Sequence, residues 1–419
     1  MKVIIIAGGQ GTRISSVASD IPKAMIPVAG KPVVEYQIEL AKRYGFTDIL
    51  FLLGHLGNQI EAYFGTGEKW GVHIEYYHEH QPLGTAGALP FVADKLTEQF
   101  FVFYGDTIMD IDLLAMKQFH EDRKAEATLF IHPNDHPYDS DLVEIDDNGF
   151  VTNFIQKPHD NLDAYRNLVN AAMYIFSKST LAYIPQGKCS FEKHVFPALL
   201  QAKKPIAGYV STEYIKDMGT PDRWEKVAKD ILSGKVQRLN KKYPRKAFFL
   251  DRDGVICQEV DLLHKKEQVK LIEGAAEAIR LINQKAYLAV IVTNQPVIAR
   301  NLCSIDELHS IHNRLETLLG EQRAYVDAIY YCPHHPDKGY PEERVEYKIE
   351  CNCRKPKPGM LLQAADDWNI DLQQSFMIGD RKWDVMAGES AHVKQSVLIE
   401  TNKAKGLLEC VEILLNVKN

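Results

Sequence analysis

Short runs of apolar residues recur along the chain, and stretches with helical spacing separate them. The runs are rich in β-branched and aromatic side chains and end in Gly or a polar residue, which is typical of strands buried in a parallel sheet. Such strands are predicted at 3–7, 100–104, 247–250, 288–292 and 376–378. Reactive side chains follow these runs, and open α/β sheets bind their ligands at the carboxyl ends of strands.

The stretch 236–246 is basic, polar and poor in periodicity, and it separates two parts of the chain. It follows a predicted helix over 221–233, which we expect to end at Gly234 because glycine is a frequent helix-stop residue. We therefore predict two α/β domains with 236–246 as their linker, at 1–235 and 247–419. This division suits a chain of 419 residues, which is too long for one ordinary core.

Composition narrows the range of partners. The chain has 45% hydrophobic and 25% charged residues and a net charge of −7, so nothing favours nucleic acid or an anionic membrane as a partner. No apolar stretch approaches the ~18 residues of a membrane helix, and the apolar start is too short for a secretory signal. Seven cysteines without a signal argue against a disulfide framework. We expect a cytoplasmic protein.

A glycine-rich loop follows the first predicted strand and contains Gly8, Gly9, Gly11 and Arg13. Glycines let backbone N–H groups approach a phosphate closely, and a guanidinium in the loop suits a polyphosphate. Lys23 follows between two prolines and adds a second cation. The loop alone could be a dinucleotide-binding turn or a plain tight turn, and Lys23 alone could be a solvated surface lysine. The loop and Lys23 together favour a binding site for the phosphates of a nucleotide.

Two aspartates in this half lie where a metal could bind. Asp106 closes the strand over 100–104, and Asp217 precedes a turn and the helix over 221–233. Either residue alone would more often cap a helix or a turn. Because Mg²⁺ prefers hard oxygen ligands and bridges phosphate oxygens, their position after the glycine-rich loop favours a magnesium site.

Residues 1–233, and 12–25 above all, resemble the sugar-1-phosphate nucleotidyltransferase family, and within it the D-glycero-α-D-manno-heptose 1-phosphate guanylyltransferases. The resemblance implies a Rossmann-like domain with a mixed, mainly parallel sheet that binds GTP and a sugar phosphate. The implied roles are nucleotide phosphate binding by Gly8, Gly9, Gly11 and Arg13, charge neutralisation by Lys23, base and ribose contacts by Gly84 and Thr85, Mg²⁺ binding by Asp106 and Asp217, and sugar binding by Lys157 and Asn170. Family members carry Glu before the Lys-Pro pair, whereas this chain has Gln156.

The second half places two carboxylates, Asp251 and Asp253, just beyond a predicted strand. This spacing suits one as a nucleophile and the other as a general acid, with Mg²⁺ between them and a phosphate. Asp-x-Asp alone could be a calcium-type loop or a turn. Thr293 at another strand tip, Lys355 as a cation and Asp380 as a further metal carboxylate then follow in order. The four elements together indicate a phosphatase with an aspartate nucleophile.

From residue 246 onward, these elements resemble the haloacid dehalogenase family. The resemblance implies a Rossmannoid α/β domain, and only 39 residues separate Asp253 from Thr293, which leaves no room for a large cap domain. The implied catalytic residues are Asp251, Asp253, Thr293 and Lys355; the implied Mg²⁺ ligands are Asp251, Asp253 and Asp380; and Asn294 and Arg354 contact the substrate.

Cys332 and His334 form one close pair in the sequence, and Cys351 and Cys353 form another. Three thiols and an imidazole match a tetrahedral zinc site, and four protein ligands leave no open position, so we predict a structural zinc. His335 is the competitor for the histidine ligand, and unrelated buried thiols are the alternative explanation.

The segments 330–336 and 351–361 resemble the D-glycero-D-manno-heptose 1,7-bisphosphate 7-phosphatases, with departures at 261–262 and 296–301, where substrate contacts are expected. The two resemblances imply consecutive reactions on one chain. One half would remove the 7-phosphate, and the other would convert heptose 1-phosphate and GTP to GDP-heptose and pyrophosphate. The alternatives are the same chemistries on mannose or another hexose phosphate or with another nucleotide, or a half that serves only as a binding or scaffold module.

Overall fold

The computed structural model describes residues 1–9, 20–159, 161–337, 339 and 343–417. The chain forms two compact units. The first contains Met1–His132, Val143–Phe154 and Asn170–Asn240, and the second contains Pro133–Leu142, Ile155–Val169 and Lys241–Asn419. The second unit thus includes two short segments from the N-terminal half of the sequence. Every helix among the described residues is too short or too polar to cross a membrane.

The N-terminal half alternates strands and helices. Its strands are β1 (Lys2–Ala7), β2 (Pro27–Val28), β3 (Lys31–Pro32), β4 (Asp48–Leu53), β5 (His73–His78), β6 (Gln99–Tyr104), β7 (Thr107–Asp110), β8 (Ala127–His132), β9 (Leu142–Ile145), β10 (Val151–Ile155), β11 (Val169–Ser177), β12 (Ile206–Val210) and β13 (Tyr214–Asp217). Its α-helices are α1 (Val33–Arg43), α2 (Gly57–Phe64), α3 (Leu113–Asp122), α4 (Phe196–Gln201), α5 (Pro221–Leu232) and α6 (Lys235–Arg238).

The main sheet of this half is mixed and mainly parallel, as predicted. Its order is β10-β9-β11-β6-β1-β4-β5, with β8 beside β11 and β12 beside β8. The central strand β1 runs parallel to both β4 and β6, and Val3 pairs with Ile49 on one side and Phe101 on the other. The strand β11 runs antiparallel to its neighbours β6 and β9. The apolar runs predicted at 3–7 and 100–104 are therefore buried parallel strands.

Three neighbouring parallel strands, β1, β4 and β6, each end at a glycine: Gly8, Gly54 and Gly105. The backbones touch at this edge, because a Cβ at Gly54 would lie 2.7 Å from the carbonyl oxygen of Gly8. A Cβ at Gly105 would lie 3.0 Å from the carbonyl oxygen of Ile6. The carboxyl edge of the sheet is thus bare backbone, which can approach a ligand closely.

The C-terminal half is a second α/β arrangement. Its strands are β14 (Lys246–Leu250), β15 (Tyr287–Asn294), β16 (Ala328–Cys332), β17 (Phe376–Gly379) and β18 (Gln395–Leu398). Its helices are α7 (Ala275–Gln284), α8 (Ile305–Glu321), α9 (Gly359–Trp368), α10 (Lys382–Ser390) and α11 (Gly406–Leu414). The strands form a parallel sheet in the order β16-β15-β14-β17-β18. One helix, α7, lies between β14 and β15, so the prediction of a domain without a large cap is confirmed.

The stretch predicted as a linker, 236–246, contains part of a helix, a buried side chain and the start of a strand. Its first residues belong to α6, which starts after Gly234 in the left-handed conformation (φ 73°). Asn240 is fully buried, and its Nδ2 donates to Oδ1 of Asp110 at 2.6 Å. The strand β14 then begins at Lys246. The residues around Asn240 therefore pack as part of the first unit, whereas a basic, polar sequence alone indicated a loose connection.

The two N-terminal segments of the second unit pack on helix α8. The backbone N–H of Tyr165 donates to Oγ1 of Thr317 at 3.0 Å, and that of Asn167 donates to Oε2 of Glu316 at 2.9 Å. Gly320 faces Pro137 so closely that a Cβ there would lie 2.5 Å from the proline ring. Hydrogen bonds and close packing thus tie both segments to this helix.

Candidate active sites

Three carboxylates meet at the carboxyl edge of the second sheet. Asp251 follows β14, Asp380 follows β17, and Asp384 lies in the first turn of α10. One oxygen from each lies within 4.8 Å of the others. Since like charges this close repel one another, the group requires a cation to hold it together.

The ammonium of Lys355 is the cation that the chain provides. It lies 2.9 Å from Oδ1 of Asp251 and 2.6 Å from Oδ1 of Asp384, and it donates to the carbonyl oxygen of Val292 at 2.8 Å. Burial alone would lower the pKa of Lys355, but the charges of Asp251 and Asp384 outweigh it and raise the pKa. Lys355 therefore stays charged and holds both carboxylates in place.

Asp251 presents one free oxygen. Its Oδ1 accepts hydrogen bonds from the backbone N–H of Arg252 at 2.8 Å and from Lys355, whereas Oδ2 has no hydrogen-bond donor among the described residues. Burial, followed by the charges of Asp384 and Asp253, raises the pKa of this carboxyl, and Lys355 opposes the rise. The arrangement leaves Oδ2 as the atom that can attack a phosphorus.

Asp380 carries an unsatisfied oxygen into the same group. Its Oδ2 accepts from the hydroxyl of Thr401 at 2.7 Å, while Oδ1 is buried and has no partner in the described part of the chain. Gly254 packs directly on it with φ +81°, and a Cβ there would lie 2.4 Å from Oδ2. An orphaned, buried carboxylate oxygen beside two other carboxylates fits a hard divalent cation such as Mg²⁺.

Asp253, predicted as a third metal ligand, lies outside the carboxylate group formed by the described residues. Both its oxygens bind the buried Arg252, at 2.9 and 2.8 Å, and Nε2 of Gln295 donates to Oδ2 at 2.9 Å. The same Nε2 donates to Oγ1 of Thr293 at 2.9 Å. Gln295 therefore links Asp253 to Thr293. The geometry favours Asp384 over Asp253 as the third member of the group.

The residues predicted to contact substrate next to Lys355 are also fixed by hydrogen bonds. Asn294 and Lys355 form a reciprocal pair, in which Nδ2 of Asn294 donates to the carbonyl oxygen of Lys355 and the N–H of Lys355 donates to Oδ1, at 3.1 and 3.0 Å. Nη1 of Arg354 donates to the carbonyl oxygen of His334 at 3.0 Å. The loop that carries Lys355 is thereby joined to the cysteine cluster.

That cluster is compact, as the sequence predicted. Sγ of Cys332 lies 3.5 Å from Sγ of Cys351, and Sγ of Cys353 lies 3.3 Å from Cys351 and 3.4 Å from Nδ1 of His334. All four side chains have ligand atoms within 4.8 Å of one another. Hydrogen bonds from Cys332 and its neighbours lower the pKa of Cys353. His335 instead accepts from the N–H of Asp337 at 3.2 Å.

The first unit contains a cavity of about 540 Å³ at the bare edge of its sheet. Its wall includes six of the predicted nucleotide-site residues: Gly8, Gly9, Lys23, Gly84, Thr85 and Asp106. Gly11 and Arg13, also predicted there, lie outside the described residues. The volume is ordinary for a small-molecule site.

Each predicted metal carboxylate of this unit binds a cation of the chain. Asp106 pairs with Lys23, and both oxygens of Asp217 bind Arg223 at 2.9 and 2.8 Å. Asp217 pairs in register with Thr107, the neighbour of Asp106. Burial alone would raise the pKa of Asp217, but Arg223 outweighs it and the pKa is lowered. Asp217 lies in β13 and Asp106 lies just before its paired strand β7, and each aspartate binds its own cation.

The segment predicted to contact base and ribose is held by a neighbouring loop. Gly84 has φ +79°, and a Cβ there would lie 2.2 Å from the carbonyl oxygen of Cys189, so only glycine fits. Oγ1 of Thr85 accepts from the N–H of Phe191 at 3.1 Å. Thr85 thus anchors the loop, and its hydroxyl oxygen already takes part in this hydrogen bond.

The two residues predicted to bind the sugar, Asn170 and Lys157, belong to different units. Nδ2 of Asn170, in the first unit, donates to the hydroxyl of Tyr174 at 3.0 Å. Lys157 belongs to the second unit, where its ammonium donates to the carbonyl oxygen and Oδ1 of Asp139 at 2.9 and 3.1 Å. Neither is among the described residues that line the cavity.

Glu79 lines the cavity, and the sequence did not single it out. It directly follows β5, but only the tertiary contact with the turn after β1 brings it to the site. Gln295 was likewise given no role, and Asp384, which lies four residues after Asp380, was not assigned as a metal ligand.

A glycine-edged cavity in one α/β unit and an aspartate–lysine group in the other define two enzyme classes, a nucleotidyltransferase and a phosphatase with an aspartate nucleophile. One family model matches each of these classes, and the two matched ranges overlap over residues 160–234. The chain belongs to the nucleotidyl transferase family over residues 2–234 and to the haloacid dehalogenase-like hydrolases over residues 160–392.

Curated relatives match each half separately. A D-glycero-beta-D-manno-heptose-1,7-bisphosphate 7-phosphatase of Pasteurella multocida is 43% identical over 159 residues, which are 38% of this chain and 84% of that protein. A mannose-1-phosphate guanylyltransferase of Mycobacterium tuberculosis is 33% identical over 237 residues, which are 56% of this chain and 65% of that protein. A Bacillus anthracis structure assigned as a glucose-1-phosphate thymidylyltransferase is 21% identical with a TM-score of 0.50, over 55% of this chain and 96% of that one, and shows the fold.

Proposed function

We propose that the chain catalyses two steps in the formation of a nucleotide-activated heptose. The second unit removes the 7-phosphate of D-glycero-D-manno-heptose 1,7-bisphosphate. The first unit transfers GMP from GTP to the resulting heptose 1-phosphate and releases pyrophosphate. The observation that carries the proposal is the Asp251–Lys355–Asp384 group in a domain that is 43% identical to a heptose bisphosphate phosphatase. We place both reactions in the cytoplasm.

The phosphatase reaction uses Asp251 and Asp253 in turn. Oδ2 of Asp251 attacks the phosphorus, and the bond from phosphorus to the sugar oxygen breaks. Asp253, which must first turn away from Arg252 and take up a proton, gives that proton to the sugar oxygen. Water then attacks the aspartyl phosphate, Asp253 takes a proton from the water, and inorganic phosphate leaves. Thr293 and Asn294 bind the phosphoryl oxygens, and Lys355 balances the charge of Asp251 throughout.

The transferase reaction needs little covalent chemistry from the protein. An oxygen of the sugar phosphate attacks the α-phosphorus of GTP in line, and the bond to the departing pyrophosphate breaks. The backbone at Gly8 and Gly9, with Lys23, binds the phosphate groups, while Gly84 and Thr85 shape the end of the cavity that holds the nucleoside.

Metals complete both centres. Asp251, Asp380 and Asp384 would hold Mg²⁺ in the phosphatase. Asp106 and Asp217 would hold it in the transferase, where a bound ion would neutralise charge on phosphate oxygens. Cys332, His334, Cys351 and Cys353 would hold zinc that stabilises the loop carrying Arg354 and Lys355.

One incubation tests both steps. The whole protein is mixed with Mg²⁺, a nucleoside triphosphate and either the α or the β anomer of heptose 1,7-bisphosphate, and phosphate and pyrophosphate are measured. Both anomers are needed because the phosphatase relative is named for the β anomer, whereas the transferase resemblance implies the α anomer. We expect phosphate first and pyrophosphate second, with GTP the best nucleotide. Phosphate release without pyrophosphate for any nucleotide or anomer would refute the coupled proposal.

The sugar is tested in the same assay. Mannose 1-phosphate, glucose 1-phosphate and heptose 1-phosphate are supplied directly with GTP, so that the phosphatase step is bypassed. The guanylyltransferase relative is named for mannose 1-phosphate, which makes this hexose the second candidate. A higher kcat/KM with mannose 1-phosphate than with heptose 1-phosphate would assign the transferase to the hexose.

A further inference from the structure

Glu79 is a carboxylate in a cavity that we assign to a polyanion. Its backbone N–H donates to the carbonyl oxygen of Leu53 at 2.7 Å, which fixes it at the end of β5 beside the glycine edge of the sheet. Its two carboxylate oxygens would lie 3.5 and 3.6 Å from a Cβ at Gly8. A negative side chain here cannot face phosphate groups without repulsion, so it must face another part of the ligand.

The carboxylate is held in place but is not neutralised. Oε2 of Glu79 accepts from the N–H of Leu83 at 3.0 Å, in the segment that leads to Gly84. Oε1 has no hydrogen-bond donor among the described residues, and no lysine or arginine among them forms an ion pair with it. Partial burial raises the pKa of Glu79, and the Leu83 N–H opposes the rise. Such a group gains most from a ligand that donates hydrogen bonds.

Two glycines form part of the cavity wall beside Glu79. The backbones of Gly8 and Gly54 are in close contact. A Cβ at Gly54 would lie 2.7 Å from the carbonyl oxygen of Gly8 and 2.8 Å from its Cα. Both glycines line the cavity with Glu79. A planar ring can lie against this backbone with its edge toward the carboxylate, whereas any larger residue at Gly8 would approach Glu79.

We propose that Glu79 reads the guanine base of the nucleotide through the two adjacent donors, N1–H and the N2 amino group, on its Watson–Crick edge. This inference rests on the proposed transferase function. A carboxylate only accepts hydrogen bonds, so its two oxygens match guanine. Adenine and cytosine place a ring acceptor beside one donor, and uracil places two acceptors around one donor, so each would turn a lone pair toward Glu79. The carboxylate therefore selects guanine and rejects the other bases.

The test compares GTP with ITP, which lacks the N2 amino group, in pyrophosphate release by the whole protein. For the wild type we expect kcat/KM to fall about 10- to 100-fold from GTP to ITP, as for the loss of a hydrogen bond to a charged group. Glu79→Gln should remove most of this difference. It should also raise the relative rate with UTP, because an amide can accept from N3–H and donate to O4 of uracil.

Two controls identify the part of the ligand involved. Glu68→Gln changes an exposed carboxylate elsewhere in the same unit and should keep the ratio of GTP to ITP. 2′-Deoxy-GTP tests whether Glu79 binds the ribose hydroxyls instead. If Glu79→Gln abolishes the discrimination against the deoxynucleotide but keeps the ratio of GTP to ITP, the guanine assignment is overturned.

The result remains decisive if a variant is unstable or the transferase assay fails. A wild-type ratio of GTP to ITP near one overturns the proposal without any variant. If no nucleotide supports pyrophosphate release, the proposed transferase function fails by itself. Calorimetric binding of GTP and ITP to the protein without sugar then still tests Glu79, with equal affinities as the contradicting result.

Discussion

The two candidate centres differ in how far the chain alone assembles them. In the second unit, one buried lysine already contacts two carboxylates, at 2.9 and 2.6 Å, and a third carboxylate lies beside them. In the first unit, Asp106 and Asp217 each bind a separate cation, Lys23 and Arg223. The same residue types therefore form a shared cluster in one unit and two separate ion pairs in the other.

The difference follows from the chemistry of each step. A phosphatase with an aspartate nucleophile must hold a reactive carboxylate in fixed geometry before the substrate arrives, and Lys355 makes that possible inside the fold. A transferase receives a highly charged triphosphate that brings much of the required charge with it. Its carboxylates can stay paired with lysine and arginine until the nucleotide and the proposed metal ion bind. We therefore expect Lys355 to contribute to the stability of the phosphatase unit. Lys23 should contribute mainly to the rate of the transferase reaction.

The largest expected effect is the loss of one activity alone. Asp251→Asn removes the attacking carboxylate and should lower phosphate release at least about 10⁴-fold, as for other nucleophile replacements. Pyrophosphate release from supplied heptose 1-phosphate and GTP should stay within about twofold of the wild type, because the variant lies in the other unit. Colorimetric assays of both products on one preparation measure this. Residual phosphatase activity within tenfold of the wild type would remove Asp251 from the nucleophile role.

The next largest effect is on the free energy of unfolding, which we compare between variants of Lys355 and Lys23. Lys355→Met leaves Asp251 and Asp384 buried without their cation and should destabilise the protein by about 3–5 kcal/mol. Lys23→Met leaves the partly exposed Asp106 and should cost about 1 kcal/mol or less. Thermal unfolding of both variants, with the wild type as reference, gives the difference. Equal shifts in the midpoint would contradict the contrast between the centres.

A smaller effect concerns the cysteine cluster that joins the lysine loop. We expect about one zinc per chain by elemental analysis of protein purified without chelator. Cys351→Ser should lose the metal and destabilise the second unit by about 2–3 kcal/mol, because the ligands converge only in the folded loop. Cys410→Ser, a buried thiol outside the cluster, is the matched control and should keep the metal. Zinc-free wild-type protein would refute the site.

The smallest effect tests the contact between α8 and the N-terminal segments. Thr317→Val keeps the shape of the buried side chain but removes the acceptor for the N–H of Tyr165, which should cost about 1–2 kcal/mol. Thr317→Ser restores the hydroxyl and should recover most of the loss. Urea unfolding of the three proteins provides the values. A valine variant as stable as the wild type would show that this hydrogen bond contributes nothing.

Local patterns in the sequence account for much of this structure. The apolar runs that became β1, β6, β14, β15 and β17 were predicted because burial in a parallel sheet leaves a direct trace in composition. The cluster at Cys332, His334, Cys351 and Cys353 was predicted because its ligands come in close pairs. The identity of the fold class followed from the order of such elements.

Features that depend on distant contacts were not predictable. Glu79 becomes a candidate only when the turn after β1 lies beside it, and Asn240 is buried only because Asp110 and Tyr44 meet it. Asp253 was expected beside a metal, but the choice between metal and Arg252 depends on side-chain directions that spacing does not fix. Arg13 and Gly11 lie outside the described residues, and their roles stay predictions.

The two N-terminal segments that pack on α8 affect what a shortened chain would contain. A phosphatase cut out of the chain at residue 241 would leave behind Pro133–Leu142 and Ile155–Val169, together with the small apolar cluster of Leu142, Tyr165 and Val169. The helix face carrying Thr317 and Gly320 would then be open to water. A single cut at residue 241 would therefore not release the whole second unit. We therefore expect a phosphatase fragment that begins at residue 241 to be less stable than the second unit of the whole chain.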